Sequence, residues 1–230
     1  EPFIYQPEEK ENRIVIVGGI HGMGGIEDAL QASIQAEHNY EIKVITGNNE
    51  ELRERLEKTI SDSRVEITGY EDHMDKVYQS SKIIISKGSG STIAEGLATG
   101  NVLLFPPPTL FWEGMGADYI SKQHAGICLT GEKDKDSSII ENITNNDSIY
   151  NWLQSNALAL QQRDAASKVL DIVESGKEGK APITKNLIDL QKRLEQKRMN
   201  ITKLHQEGID KEATAYIMSR LQDYVRDRLK

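Results

Sequence analysis

Two glycine-rich segments hold the residue types that could do chemistry. The first, Gly18-Gly19-Ile20-His21-Gly22-Met23-Gly24-Gly25, has five glycines in eight residues and follows an apolar, β-branched run. Glycine lets a backbone turn sharply and approach a ligand closely. A helix that starts at once would point its free N–H groups and positive dipole end back at the loop, which suits a phosphate. The spacing is neither the dinucleotide fingerprint nor a P-loop, because no Gly-Lys-Ser/Thr follows. Taken alone, it reads equally well as a tight strand-to-helix turn. The second segment, Lys87-Gly88-Ser89-Gly90-Ser91-Thr92-Ile93-Ala94-Glu95, follows another apolar run. Ser89, Ser91 and Thr92 add hydroxyl donors beside Lys87. Glu95 stands one helical turn on, placed to accept hydrogen bonds from a sugar diol. Two such turns on one strand edge point to a phosphate-bearing ligand in the crevice where open α/β sheets bind.

The elements that must position these segments follow from periodicity. Arg13–Val17, Lys43–Thr46, Val65–Thr68, Lys82–Ser86 and Asn101–Phe105 are short, β-branched or aliphatic runs, as buried parallel strands should be. Between them, Ile26–Ile34, Glu50–Ile60, Asp72–Ser80, Ser91–Thr99 and Glu113–Gln123 carry apolar residues at helical spacing. Repeated β-α units predict an α/β fold, a doubly wound, Rossmann-like parallel sheet. Gly126-Ile127-Cys128 reads as a further short strand with Cys128 as a small core residue. The run Lys133-Asp134-Lys135-Asp136 reads as a solvated loop. Helical text resumes at Trp152–Leu160 and Asp164–Val173.

Residues 1–12, with Pro2 and Pro7, read as a linker, 13–175 as the α/β domain, and 176–182 as a second linker. Residues 183–230 carry two apolar stripes broken at Gly208, the pattern of a helical hairpin extension. That hairpin would pack on its own body or on a second copy, as a homodimer; peripheral membrane contact is the lesser alternative. The 28 basic and 36 acidic residues give a net charge of -8. Residues 1–175 hold 15 basic and 28 acidic side chains, so nucleic acid would be repelled by most of the surface. No apolar run is long enough to span a bilayer. A single cysteine excludes an intramolecular disulfide and favours a reducing, cytoplasmic setting, at the cytosolic face of a membrane if membrane contact exists. No Cys/His cluster has zinc spacing, and neither a metal nor another cofactor is expected.

Three stretches read together, VGGIHGMGGIEDAL, ITGYEDHMDKVYQSSKIIISKGSGSTIAEGL and PPPTLFWEGMGADYISKQHAGI, resemble the C-terminal, donor-binding half of a GT-B glycosyltransferase. The chain looks most like the monogalactosyldiacylglycerol synthase group and the glycosyltransferase family 28 C-terminal domain. The peptidoglycan-precursor N-acetylglucosaminyltransferases are more distant relatives. The resemblance covers about residues 12–175. It implies an inverting hexosyltransferase that uses a UDP-sugar and passes the sugar to a lipid or other membrane-associated acceptor. By the same resemblance, Gly69, Tyr70, Glu71 and Met74 would hold the nucleobase. Ser89, Gly90, Ser91 and Thr92 would bind phosphate and Glu95 the ribose. Gly19, Gly22 and Met23 would border the diphosphate, and Glu113 would contact the transferred sugar. Trp112 stands where relatives commonly carry glutamine, Gly116 where asparagine is usual, and His21 where Glu or Gln is found.

No catalytic residue is expected in this chain. The general base belongs on an N-terminal acceptor-binding domain or on a partner chain, with His21 a minor candidate. The chain is therefore expected to be a fragment of a longer enzyme, or a subunit that needs a partner. The competing reading is a non-catalytic UDP- or UDP-sugar-binding or scaffolding module acting through its helical extension. A nucleotide-sugar epimerase is disfavoured, because its acidic and histidine catalytic positions are absent. His73 and His124 read as surface residues, and Glu50–Arg55 as a solvated helix face with ion pairs at i,i+4.

Overall fold

The computed structural model describes residues 3–162 together with 167, 170 and 171. All but the last three lie in the first of the two units into which the chain divides, Glu1–Arg163. In chain order the elements are β1 (Glu11–Val17), α1 (Ile26–Gln35), β2 (Glu41–Ile45), α2 (Glu50–Thr59), β3 (Val65–Thr68), α3 (Met74–Ser80) and β4 (Ser81–Ser86). They continue with α4 (Gly90–Ala98), β5 (Val102–Phe105), α5 (Phe111–Lys122), β6 (Gly126–Cys128), α6 (Lys133–Asn145) and α7 (Asp147–Ala159). The expected 176–182 linker and 183–230 hairpin lie outside the described residues, as does nearly all of the Asp164–Val173 helix.

The sheet has six strands in the order β3-β2-β1-β4-β5-β6, and every pairing is parallel. This is the doubly wound arrangement that the alternating pattern predicts. The chain builds outward from β1 to β3, returns to lay β4 against the free side of β1, and builds outward again. Ile14 pairs with Ile83 and Ile16 with Ile85 across that return.

Alternate strand residues serve opposite faces. Ile14, Ile16, Ile42, Val44, Ile83, Ile85 and Leu104 pack on one side with Leu30 of α1, Leu52 and Leu56 of α2, and Ile140 of α6. Val15, Ile84, Leu103 and Phe105 pack on the other with Tyr78 of α3, Leu97 of α4, and Ile120 of α5. Each such aliphatic side chain contributes about 1.5–3 kcal/mol by leaving water. Helices α1 and α4 therefore leave β1 and β4 on opposite faces, which opens a crevice between their first turns.

Two expectations are corrected. Lys133–Asp136 is not a loop but the first turn of α6. Asp136 is buried there and accepts hydrogen bonds from Thr130 N at 2.7 Å and Gly131 N at 2.9 Å. Cys128 is exposed rather than a core residue, because it ends β6, the edge strand of the sheet. His124 is exposed as expected, in the left-handed region at φ 56°, with its ring 5.1 Å from that of Trp152. On α2, Arg53 pairs with Glu50, Lys58 with Glu54 and Arg55 with Glu51, the predicted solvated face. Among the described residues, no helix is long and apolar enough to cross a membrane.

Candidate functional site

The strands are parallel, so their carboxyl ends share one edge, and both glycine-rich segments emerge there beside each other. After β1, Gly19, Gly22, Gly24 and Gly25 all take positive φ. Gly22 shows why the residue must be glycine: a Cβ there would stand 2.2 Å from the Thr46 carbonyl oxygen at the end of β2. The turn is closed by Gly22 N donating to Gly19 O at 3.1 Å and Met23 N to Gly18 O at 3.0 Å. Its tip is tied to the next loop by Asn48 N donating to Ile20 O at 2.8 Å. Helix α1 then starts with Gly25 as its N-cap, no side-chain cap, and Glu27 and Asp28 in its first turn.

After β4 the construction differs. Ser89 caps α4, its hydroxyl oxygen accepting from Thr92 N while the hydroxyl donates to Thr92 Oγ1 at 2.9 Å. Ser91 Oγ lies 3.5 Å from Ser89 Oγ, so three hydroxyls cluster at one helix N-terminus. No acidic residue sits in the first turn of α4. Its positive end is therefore uncompensated, an environment that favours an anion by about 0.3–1 kcal/mol at an exposed position. Glu95 lies one turn on and is half-buried. Desolvation raises its carboxyl pKa above the usual value, and neither a cation nor a hydrogen-bond donor pairs with it among the described residues. Such a carboxylate is suited to accept hydrogen bonds from neutral hydroxyls.

Lys87 joins the two turns. Its stem packs where a Cβ on Gly24 would be, 2.7 Å from that position, and its ammonium lies 3.0 Å from Glu113 Oε1. Glu113, in the first turn of α5, is only 2% exposed; Thr109 Oγ1 donates to its other oxygen at 3.4 Å. The backbone oxygen of Glu113 in turn abuts Gly88, where a Cβ would come within 3.1 Å. Gly116, where relatives usually carry asparagine, packs closely against Gly88 O and the end of the Ile93 side chain; a Cβ there would stand 3.2 Å and 2.9 Å from them.

The predicted nucleobase segment follows β3. Tyr70 is exposed, and Met74 begins α3, partly buried against the second core. The Glu71 side chain folds back, accepting from His73 N at 3.0 Å and lying 3.7 Å from the Lys43 ammonium. Gly69 faces Gly47 O, and Gly47 faces Gly19 O, so close backbone approaches run along the edge from β3 to β1. Gly19, Gly22, Gly24, Lys87, Gly88 and Glu113 form one connected group. His21 is exposed on the rim, as are Ile20, Met23, Tyr70, Leu110 and Met115. The Trp112 side chain lies outside what is described. Sequence reasoning did not foresee the Lys87–Glu113 pair, for which only the isolated lysine of a hydroxyl-rich turn was a sign.

A six-stranded parallel sheet in this order, with glycine-rich turns at the point where strand order reverses, defines a doubly wound, Rossmann-like α/β domain. The chain belongs to the family of the glycosyltransferase family 28 C-terminal domain, whose model matches residues 13–175. It is 26% identical over 133 residues to a processive diacylglycerol beta-glucosyltransferase of Bacillus cereus, a match covering 56% of this chain and 34% of the relative. It is 23% identical over 172 residues to a UDP-N-acetylglucosamine--N-acetylmuramyl-(pentapeptide) pyrophosphoryl-undecaprenol N-acetylglucosamine transferase of Listeria monocytogenes, covering 70% and 47%. Among solved structures, Acinetobacter baumannii MurG superposes with a TM-score of 0.62 at 18% identity, over 75% of this chain and 54% of that one. The last likeness is one of fold. The chain spans between a third and a half of the length of these curated relatives, and the motif resemblance to the family's C-terminal domain is borne out.

Proposed function

We propose that this chain is the UDP-sugar-binding half of an inverting hexosyltransferase acting on a lipid or other membrane-associated acceptor. The observation that carries the proposal is the meeting of the two glycine-rich turns at the reversal of strand order, with the hydroxyl-capped, acid-free end of α4 open between them. Family membership supports it, and so do the lipid-linked acceptors in both relatives' names.

In the proposed reaction an acceptor hydroxyl attacks the anomeric carbon, giving its proton to a base. The bond from that carbon to the β-phosphate oxygen breaks, and UDP departs with the electron pair. The N–H groups opening α4 and the hydroxyls of Ser89, Ser91 and Thr92 receive the charge that grows on the diphosphate. Glu95 holds the ribose diol, and the Gly69–Met74 loop takes the uracil. Gly19, Gly22 and Met23 border the diphosphate, and Glu113 stands at the sugar end with Lys87. The proposal uses no metal and no further cofactor. The base and acceptor pocket come from an acceptor half, on the same polypeptide or a partner chain, and the reaction is placed at the cytosolic face of a membrane.

Calorimetric titration of the chain with UDP and ADP tests this reading, with Glu95→Ala beside the parent. UDP should bind selectively, and Glu95→Ala should weaken it about tenfold, the cost of one hydrogen-bonded carboxylate. Equal affinity for ADP overturns the uridine assignment, and an unchanged constant in Glu95→Ala overturns the ribose assignment.

A further inference from the structure

The loops that leave the carboxyl ends of the six strands are 18–25, 46–49, 69–73, 87–89, 106–110 and 129–132. Lys87 is the one lysine or arginine on any of them. Glu71, Asp72 and Glu132 stand on the same loops, so this cation is set against the local trend in charge. Its side chain is fixed from both ends. The stem lies along the first turn: Cβ, Cδ and Cγ fall 2.7, 3.1 and 3.4 Å from where a Cβ on Gly24 would stand, and Cε falls 3.8 Å from that of Gly19. The ammonium ends 3.0 Å from Glu113 Oε1, its only ion-pair partner among the described residues.

Glu113 is engaged inside the domain. It is 2% exposed, and its other oxygen accepts from Thr109 Oγ1 at 3.4 Å. Burying a carboxylate is costly, and a well-packed apolar pair of similar volume would serve stability as well. The pair is better explained by what it holds. The Lys87 side chain keeps 24% of its surface exposed. One of its three N–H donors faces Glu113, and two remain for a ligand. A free lysine gives up rotamer freedom when it grips an anion, whereas this one has already given it up on folding. Past Gly88, at φ 80°, Ser89 opens α4. The ammonium and the hydroxyl-capped helix end are thus two anion-attracting features separated by one glycine, which suits a ligand with two linked phosphates.

We propose that Lys87, held in place by Glu113, binds the second phosphate of the donor's diphosphate, while the first lies at the N-terminus of α4. The inference rests on the donor-site reading above and adds to it the residue that tells a nucleoside diphosphate from a monophosphate. It also gives Lys87 a part in the transfer. As the bond from the anomeric carbon to the β-phosphate oxygen breaks, the electron pair left on that oxygen falls beside a fixed positive charge. No proton is exchanged with the lysine.

The test is calorimetric titration of the whole chain with UDP and UMP, with thermal melting to confirm folding. The parent is compared with Glu113→Gln and with two double variants, Lys87→Met with Glu113→Gln and Lys87→Gln with Glu113→Gln. Each double variant removes both charges together, so no buried carboxylate is left alone. The second keeps a hydrogen bond between the two side chains and decides the matter should the first not fold. The parent should prefer UDP. Either folded double variant should weaken UDP about tenfold and leave UMP nearly unchanged, so that the preference collapses. Glu113→Gln keeps the ammonium without its neutralising partner, and the preference should be kept or raised. A parent that binds both nucleotides alike, or a parental ratio retained in a folded double variant, would overturn this proposal alone. So would a preference lost in Glu113→Gln as fully as in the double variants, which would give the role to the carboxylate. Failure of the folded parent to bind UDP would remove the donor-site reading and this inference together.

Discussion

The turn after β1 reaches its shape through glycines in the left-handed region, whereas the turn after β4 reaches its own through hydroxyl hydrogen bonds. The helices they feed differ in the same sense. α1 opens with Glu27 and Asp28, which offset its positive end; α4 opens with Ser91 and Thr92 and no acid. An N-terminus already facing two carboxylates has little field left for a phosphate. The difference supports the proposal that an anion would be bound at the second turn, with the first serving as a backbone wall beside it. A glycine-rich loop is thus not by itself a phosphate site; the charges of the following turn decide.

Five single substitutions would break or sharpen this contrast. The largest effect is expected at the bond between the turns. Lys87→Met leaves the buried Glu113 carboxylate without its cation and should cost about 3–5 kcal/mol in urea unfolding. The double variant with Glu113→Gln should recover most of that loss, and a double variant as unstable as the single would show the pair to be incidental. Next is the contrast between glycines. Gly22→Ala must hold φ near 57° and meet the Thr46 carbonyl, a cost of about 2–3 kcal/mol. Gly90→Ala meets nothing within 4 Å and should gain about 0.5–1 kcal/mol while weakening UDP binding. Denaturation midpoints that move the same way for both would erase the distinction.

Ser89→Ala removes the α4 cap and should cost about 1 kcal/mol, with a parallel loss of UDP affinity. Equal UDP affinity with the cap removed would place the anion elsewhere. The last effect is one of pH dependence, behind the second turn at Lys10, whose burial pulls its pKa from 10.5 down to about 7. Between those two values the unfolded chain binds more protons, so stability should rise with pH from about 7 towards 10.5. The two carbonyls that accept from the ammonium favour its charged form and shrink this slope. Lys10→Met should flatten the urea midpoint between pH 7 and pH 9; a slope unchanged in that variant would assign the dependence to another group.

The five long strand runs were legible because fully buried parallel strands are written as unbroken aliphatic text, and both turns because glycine clusters followed them directly. Helix α6 was not: its first turn is written in charges, and the buried role of Asp136 appears only once Thr130 and Gly131 fold back upon it. Cys128 misled because a three-residue strand has no period from which to read a face, and its place at the sheet edge is a property of topology. Lys87 and Glu113 are joined through β5 and its loop, a pairing no local pattern announces.

The return of the chain to lay β4 beside β1 also bears on how the molecule acquires its crevice. Ile14 and Ile83 are neighbours in the sheet but sixty-nine positions apart in the chain, and closing such a loop must precede any reward from the contact. Everything up to β3 can pair progressively; the space between the two turns exists only after this long-range step. Ligand binding would therefore report on completion of folding. A nucleotide that binds the finished crevice would stabilise it by mass action and slow the separation of the two halves of the sheet.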